Sequence, residues 1–239
     1  MIDLHCHILP GLDDGALDLQ DSVAMARQAE RDGIALVCAT PHIRHDHDVA
    51  IEGIAERVRW LQRRLDDDGV DVRIVPGGEL AETDADRLSD AQLRLVALGG
   101  GGGWVLLEPA PGPLGDGLEA LVQRLARRGL ATIVAHPERH AAADFEERLR
   151  RLVAGGCLIQ WTAQFVADAA AEDLVLRLAG EGLVHLLASD AHSSLGGRPV
   201  RLAAGFERLA TVCAPERIEW MAERAPQAIV RAQPVAPMP

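Results

Sequence analysis

Met1-Ile2-Asp3-Leu4-His5-Cys6-His7 opens the chain, and its alternation decides how the rest is read. Ile2, Leu4 and Cys6 alternate with Asp3, His5 and His7, the two-residue period of a strand whose successive side chains point to opposite faces. His5 and His7 therefore project the same way. Two imidazoles one residue apart, at the end of a short apolar strand and ahead of the Pro10-Gly11 break, can grip one metal ion from a rigid support. Taken alone, the pair reads equally well as polar residues on the outer face of an edge strand, so the question is what completes a site.

Working outward, a helical pattern from Asp18 to Asp32 ends at Gly33, and the apolar run Ile34 to Thr40 delivers Pro41-His42 at its carboxyl end. Such a run suits a strand covered on both faces. A long helix over Val49 to Asp68 leads to a strand running from Val70 to Glu79. Trp104 to Glu108, Leu130 to His136, Cys157 to Trp161 and Leu183 to Asp190 read as further strands, and the last hands over to Ala191-His192. Helices are expected at Leu118 to Arg128, Asp144 to Ala154 and Ala169 to Ala179, with two or three more between Pro199 and Val230. The glycine run at 99–103 reads as a flexible surface loop; without a following Lys-Ser or Lys-Thr it is not a phosphate-binding P-loop.

This βαβα alternation with buried strands implies a parallel sheet with helices outside. Open doubly wound sheets share it, but here polar residues recur at the ends of nearly every strand and not at one crevice, as around the carboxyl rim of a barrel. The expected fold is α/β: a single-domain, distorted (β/α)7 TIM-like barrel over residues 1–232, with a disordered Pro-rich tail over 233–239.

Size and composition agree with one domain: 239 residues are ample for one large core. A formal charge of −12 argues against a nucleic-acid-coating surface. Cys6, Cys38, Cys157 and Cys213 are scattered, three of them in apolar runs, and read as buried thiols of a reducing cytoplasm. The N-terminus carries no signal-like segment and no apolar run is long enough to span a bilayer, so membrane insertion is not expected.

The strand-end residues His5, His7, His42, Glu79, Glu108, His136, Asp190 and His192 would share one rim of such a barrel. That exceeds what one ion needs, and mixed imidazole and carboxylate donors suit Mn²⁺, Fe²⁺ or Zn²⁺ better than Mg²⁺ or Ca²⁺. Clustered divalent ions activate water and hold the attacking and leaving oxygens of a phosphate ester. A cysteine phosphatase is excluded, because no Cys is followed by five residues and an Arg in a loop before a helix.

The motifs His5-Cys6-His7, Thr40-Pro41-His42, Gly78-Glu79, Glu108, Ala135-His136 and Ser189-Asp190-Ala191-His192 resemble, in order, those of the polymerase-and-histidinol-phosphatase (PHP) family. The likeness runs from Met1 to about Pro199. Within that family the chain looks most like bacterial protein-tyrosine phosphatases encoded with capsule and exopolysaccharide genes, through Leu9-Pro10-Gly11-Leu12-Asp13-Asp14-Gly15, His136-Pro137-Glu138-Arg139 and Gly197-Arg198-Pro199. The resemblance implies two or three divalent ions, manganese foremost, with Fe²⁺ or Zn²⁺ as alternatives. The first would take His5, His7, Glu79 and Asp190, the second Glu79, Glu108 and His136, and the third Asp14, His42 and His192, with Glu79 bridging. Asp13, beside Asp14, could be presented by the turn instead.

By the same resemblance Arg139 and Arg198 bind phosphate, and Glu108 counts among the catalytic residues. A planar guanidinium fork beside metal ions is suited to binding a phosphoryl group in two places. The implied activity is hydrolysis of the phosphate ester of phosphotyrosine by metal-activated hydroxide, on the C-terminal tail of a bacterial tyrosine kinase that controls polysaccharide synthesis. A small phosphomonoester such as histidinol phosphate is the alternative substrate. Three other readings are open: a phosphodiester substrate, a non-catalytic metal-binding relative, or a zinc amidohydrolase, though the last typically wants a bridging Lys and this chain has none. A homo-oligomer is allowed by the sequence.

Overall fold

Nine parallel strands, interleaved with helices, make up the body of the protein in a computed structural model that describes residues 1–168 and 172–239. Strand β1 (Ile2–Cys6) is followed by helix α1 (Leu19–Arg31), strands β2 (Leu36–Ala39) and β3 (His42–Ile43), and helix α2 (Ile54–Asp67). Strands β4 (Arg73–Pro76) and β5 (Glu79–Ala81) precede helix α3 (Asp90–Val96). Then come β6 (Trp104–Glu108), α4 (Asp116–Arg127), β7 (Ala131–Val134), α5 (Phe145–Ala154) and β8 (Leu158–Thr162). Helices α6 (Ala163–Ala167) and α7 (Glu172–Gly180) lead to β9 (Leu186–Ala188), and α8 (Ala203–Leu209), α9 (Pro215–Glu219) and α10 (Ala225–Val230) close the chain. The start expected for one helix at Ala169 lies outside the described residues.

Local sequence accounts for the helix ends. The Asp18 side chain accepts from the Asp21 amide at 2.9 Å and so caps α1, whose Val23, Met25, Ala26 and Ala29 form the buried stripe. Gly33 ends the helix at φ +78°, a conformation that a side chain disfavours. In α4, Asp116 and Glu119 occupy the first turn and Arg124 and Arg127 the last, charges that complement the helix dipole.

The strands form one sheet in the order β1-β2-β4 and a second in the order β3-β5-β6-β7-β8-β9. Both curl, and the segment after β9 returns to β1: Asp190 N donates to His5 O at 2.8 Å and His7 N to Ala191 O at 2.9 Å. Cys6 and Ala191 form a parallel bridge there.

The strands expected at Ile34–Thr40 and Val70–Glu79 are each broken in two. Pro41, which has no amide hydrogen, separates β2 from β3, and Gly77-Gly78 separates β4 from β5. The glycines are required by close packing: a Cβ on Gly77 would lie 2.7 Å from Cys38 Sγ, and one on Gly78 2.7 Å from Ile43 Cγ1. The two breaks lie side by side, and β1 shows its own irregularity between Asp3 and Cys6. All three strands thus bend together just where their polar ends begin.

Between sheet and helices lies one apolar core, including Leu4, Ile8, Leu61, Leu80, Leu106 and Trp161, with Phe145 edge-on to Trp161 at 6.2 Å. The four cysteines are buried and free, as their spacing suggested. Among the described residues, no helix is long and apolar enough to cross a membrane.

The glycine run is not the flexible loop that its composition suggested. A Cβ on Gly99, at φ +76°, would collide with the Val230 carbonyl oxygen, and one on Gly101 would lie 2.7 Å from Ala232 Cβ. The run is therefore the seat on which the end of α10 rests. Beyond it, residues 233–239 form neither helix nor strand, yet Trp220 Nε1 donates to Ala236 O at 2.9 Å and Arg217 Nε to Pro239 O at 3.1 Å.

Candidate metal centre

Because the strands are parallel, their carboxyl ends share one edge of the curled sheet, and that edge collects the polar residues. His5 lies on β1 and His7 directly beyond its end, and His42 of β3 stands in register with Glu79 of β5. Glu79 is paired in turn with Leu106 of β6; Glu108, two residues on, points to the same face one row further out. His136 follows β7, and Asp190 and His192 follow β9.

Glu79 is the hub. Its Oε2 lies 3.2 Å from His5 Nε2, 3.2 Å from His7 Nε2 and 3.0 Å from His42 Nδ1. Its Oε1 lies 2.7 Å from His136 Nε2. Asp190 Oδ1 stands 3.3 Å from His5 Nε2 and 3.7 Å from His7 Nε2. On the outer side, Asp14 Oδ1 is 3.3 Å from His42 Nε2 and 3.5 Å from His192 Nε2. Among the described residues, four sets of side chains bring ligand atoms close enough to share an ion: His7, Asp14, His42 and His192; His5, His136 and Asp190; His5, His7 and Glu79; and His42, Glu79 and Glu108. All nine residues expected as ligands are thus in one cluster. The grouping differs in detail, since Glu108 falls with His42 and His136 with His5 and Asp190.

The neighbours of the imidazoles fix their direction. Asp13 Oδ2 sits 2.8 Å from His7 Nδ1 and also accepts the His42 amide at 2.9 Å, while Oδ1 accepts the Gly15 amide at 3.0 Å. Gln160 Oε1 sits 3.0 Å from His5 Nδ1. Both outer ring nitrogens thus face acceptors and carry hydrogens, while the inner Nε2 atoms point at each other across 3.2 Å and at two carboxylates. The turn therefore divides its two acids: Asp13 orients and Asp14 faces the cluster.

Ring nitrogens and carboxylates converging in this way need positive charge between them, supplied by protons on the rings or by cations in their place. The electrostatics of the side chains express that need. Burial works to raise the Glu79 carboxyl, but the imidazoles of His5, His136 and His42 outweigh it and hold Glu79 well below the usual range. Burial likewise opposes a charged His7, yet Asp13 and Glu79 lift it to about 10. His192, half-buried and beside His7, is pushed down to about 4 by desolvation and by that neighbouring imidazole. Within the cluster, Glu79 Oε2, His42 Nδ1 and His136 Nδ1 are buried without a hydrogen bond of good geometry. An all-nitrogen-and-oxygen donor set with buried, unsatisfied lone pairs fits divalent cations of the Mn²⁺, Fe²⁺ or Zn²⁺ type.

Three arginines rim the cluster. Arg139 Nη2 donates to Asp190 Oδ2, and Arg198 donates from Nε to the Asp190 carbonyl at 2.7 Å while its Nη2 lies 3.1 Å from Asp190 Oδ2. Both remain partly exposed, so the forks can turn toward an incoming anion. Arg44, which the sequence reading missed, donates from Nη1 to Glu108 Oε2 at 3.3 Å, and His47 stacks on His42 at 5.0 Å. The signal was available for Arg44, since it lies two positions after His42, the spacing of one strand face. His136 (φ 29°) and Asp190 (φ 49°) both adopt left-handed backbone, a strained conformation for such residues and one that concentrates at functional sites.

Comparison with known proteins places this cluster in context. A family profile described as capsular polysaccharide synthesis, CpsB/CapC, matches residues 1–231. The tyrosine-protein phosphatase YwqE of Bacillus subtilis is 34% identical over 200 residues, covering 81% of this chain and 78% of that protein. The tyrosine-protein phosphatase CpsB of Streptococcus agalactiae is 24% identical over 245 residues, covering 97% and 98%. A crystal structure from a study of YwqE and of Streptococcus pneumoniae CpsB, described as unique metal-dependent tyrosine phosphatases, superposes with a TM-score of 0.85 at 29% identity, over 99% of this chain and 96% of that one.

Proposed function

Because the chain belongs to the CpsB/CapC family of capsular polysaccharide synthesis, we propose that it is a metal-dependent protein-tyrosine phosphatase of a capsule or exopolysaccharide system. The observation that carries this reading is the placement of Glu79: one buried carboxylate within 3.2 Å of four imidazoles, with arginines at the rim. The ligands would be His5, His7, Asp14, His42, Glu79, Glu108, His136, Asp190 and His192, with Glu79 shared between ions and manganese the favoured metal. When bound, such ions supply Lewis-acid activation of water and neutralise charge on the phosphoryl group.

The chain's own residues do the rest. Asp13 and Gln160 hold the His7 and His5 rings so that their inner nitrogens are directed inward, where a cation would take the place of the proton. Arg139 and Arg198 would exchange their contacts with Asp190 for the non-bridging oxygens of the phosphoryl group, where charge builds up in the transition state. The reaction forms a P–O bond from water and breaks the P–O bond to the tyrosine phenol, which leaves as phenolate and takes up a proton. Glu108 sits at the rim, where Arg44 donates to it.

The finer fold reading belongs with this proposal. If β2 with β3 and β4 with β5 each count as one interrupted strand, seven strand positions result, as in a distorted (β/α)7 barrel. We place the activity in the cytoplasm, on phosphotyrosine in a partner such as the tail of a bacterial tyrosine kinase. Hydrolysis of a small phosphomonoester such as histidinol phosphate is the second reading; the partly exposed arginines, open to solvent, favour a protein substrate over a small enclosed one. Turnover of a phosphotyrosine peptide and of histidinol phosphate by the Mn²⁺-loaded protein distinguishes the two. Faster kcat/KM on histidinol phosphate would overturn the first.

A further inference from the structure

The arginines of this acidic protein are divided between two faces. On α4, α5 and α7 all but Arg127 are paired with acids, among them Arg124 with Asp86 at 2.7 Å, Arg151 with Glu147 at 2.8 Å, and Arg177 with Glu181 at 3.0 Å. On α1 and α2 the opposite holds. Arg27, Arg31, Arg57, Arg59, Arg63 and Arg64 are all exposed, and among the described residues none lies within 4.0 Å of a carboxylate oxygen. In a chain of net charge −12, six guanidinium groups without an ion pair stand on two neighbouring helices, beside the exposed carboxylates of Glu30, Glu56, Asp66 and Asp67.

These arginines line two concave surfaces. One groove, of about 630 Å³, lies along α1 and α2 and is lined by Arg27, Arg31 and Arg64 against a single carboxylate, Asp68. The other, of about 450 Å³, presents Arg57 and Arg63 around Trp60, with Glu56 as its one acid. Trp60 is 39% exposed, an unusual position for the largest apolar side chain and one suited to stacking on a ligand. On α2, positions 57, 60, 63 and 64 follow helical spacing, so the grooves flank one continuous stripe.

Each groove also touches a loop of the candidate metal centre. The first includes Ser194, between His192 and Arg198, and Gln28 of its wall holds that loop by donating to Ser194 O at 3.1 Å and accepting from the Val200 amide at 3.2 Å. The second includes Pro10, at the start of the loop that carries Asp13 and Asp14. A chain seated on the stripe would therefore lead to the mouth of the site from either side.

We propose that the α1–α2 face is a docking surface for an acidic polypeptide segment that flanks the phosphotyrosine of the protein substrate. This rests on the phosphatase reading and adds the chemistry of the partner to it. Charge complementarity selects the occupant: a segment rich in Asp and Glu satisfies the unpaired arginines, and an aromatic or proline side chain among them can lie on Trp60. Contacts of this kind act on encounter and KM more than on the chemical step, and they weaken with salt.

The test uses the full chain loaded with Mn²⁺ and three substrates: an acidic phosphotyrosine peptide, a neutral phosphotyrosine peptide of equal length, and para-nitrophenyl phosphate, which has no flanking chain. The expected result is that wild type prefers the acidic peptide, through KM, and that this preference shrinks as NaCl rises. In Arg57→Glu/Arg63→Glu, and separately in Arg27→Glu/Arg31→Glu, the ratio of kcat/KM for the acidic peptide to that for para-nitrophenyl phosphate falls about tenfold, the size expected for reversing two exposed charges. The proposal is overturned if the ratio is unchanged, if both peptides are affected alike, or if the variants lose binding to phosphatidylserine vesicles while peptide kinetics stay as in wild type. Failure of wild type to hydrolyse any of the three substrates would refute the phosphatase reading itself, and the docking role with it.

Discussion

Asp13 Oδ2 lies 2.8 Å from His7 Nδ1, and the same oxygen accepts the backbone amide of His42 at 2.9 Å. A single carboxylate thus aims one candidate ligand and anchors the strand that carries another. The burial that would raise Asp13 is overcome by His7, and its carboxyl is held down at about 2. Removing it should loosen the metal without removing a ligand. Asp13→Asn is expected to weaken metal affinity by about 10- to 100-fold, the usual loss when the partner of a ligating histidine is replaced. Metal titration followed by calorimetry checks this; an affinity equal to wild type would show that Asp13 plays no such part.

Arg198 reaches Asp190 through both its carbonyl and its carboxylate, at 2.7 and 3.1 Å, and so stands ready at the site where the phosphoryl group is expected. Arg198→Ala should lower kcat on para-nitrophenyl phosphate by about 10²- to 10³-fold, as for the loss of one transition-state donor. Arg198→Lys should recover little of it, because an ammonium cannot span two oxygens as a planar fork does. Steady-state kinetics decide; full activity in the lysine variant would reduce the role to simple charge.

The glycine run gives a stability prediction with an internal control. Gly99→Ala must relieve a collision with the Val230 carbonyl at φ +76°, whereas Gly129→Ala, at φ +78°, meets nothing within 4 Å. The first combines overpacking with backbone strain and should cost about 3 kcal/mol, the second only about 1 kcal/mol. In a chain of this size that corresponds to a fall in Tm of about 6–12 °C against about 2–4 °C. Equal shifts in thermal unfolding would contradict the packed seat.

His185 supplies a pH dependence remote from the metal centre. Burial, with Arg217 nearby, pushes it down from 6.5 to about 4, and its Nδ1 accepts the Ile159 amide at 3.3 Å. Between these values the unfolded chain binds a proton that the folded chain refuses, so stability rises with pH across the window and is lost on acidification from 6.5 toward 4. The slope from this one group approaches about 1.4 kcal/mol per pH unit. His185→Asn keeps an acceptor but cannot titrate, so urea unfolding of the two proteins should diverge in slope over this window. Parallel slopes would show that His185 is not held neutral.

How much of this was legible in the sequence follows from the range of the forces involved. The alternation at Ile2 to His7 and the polar strand ends were readable because strand geometry is local, and parallel strands bring their ends to one edge. The breaks at Pro41 and Gly77-Gly78 are visible as residues, but that they line up side by side depends on the register of three strands. Gln160 could not be recognised as the partner of His5, 155 residues away, because nothing in its own surroundings marks it. The choice between Asp13 and Asp14 was open for a similar reason: only the folded turn shows which carboxylate faces inward. Composition misled at the glycine run, where the residues that demand glycine, Val230 and Ala232, lie at the other end of the chain.

The central claim is that the side chains gathered around Glu79 hold divalent metal and that this metal is what the activity requires. The most direct measurement is elemental analysis of wild type and Glu79→Gln, paired with phosphotyrosine-peptide turnover before and after chelation. The account predicts more than one equivalent of divalent metal per wild-type chain, a marked loss of it in Glu79→Gln, and turnover that stops on chelation and returns with Mn²⁺. Turnover that persists in a metal-free protein, or an unchanged metal content in Glu79→Gln, would contradict it.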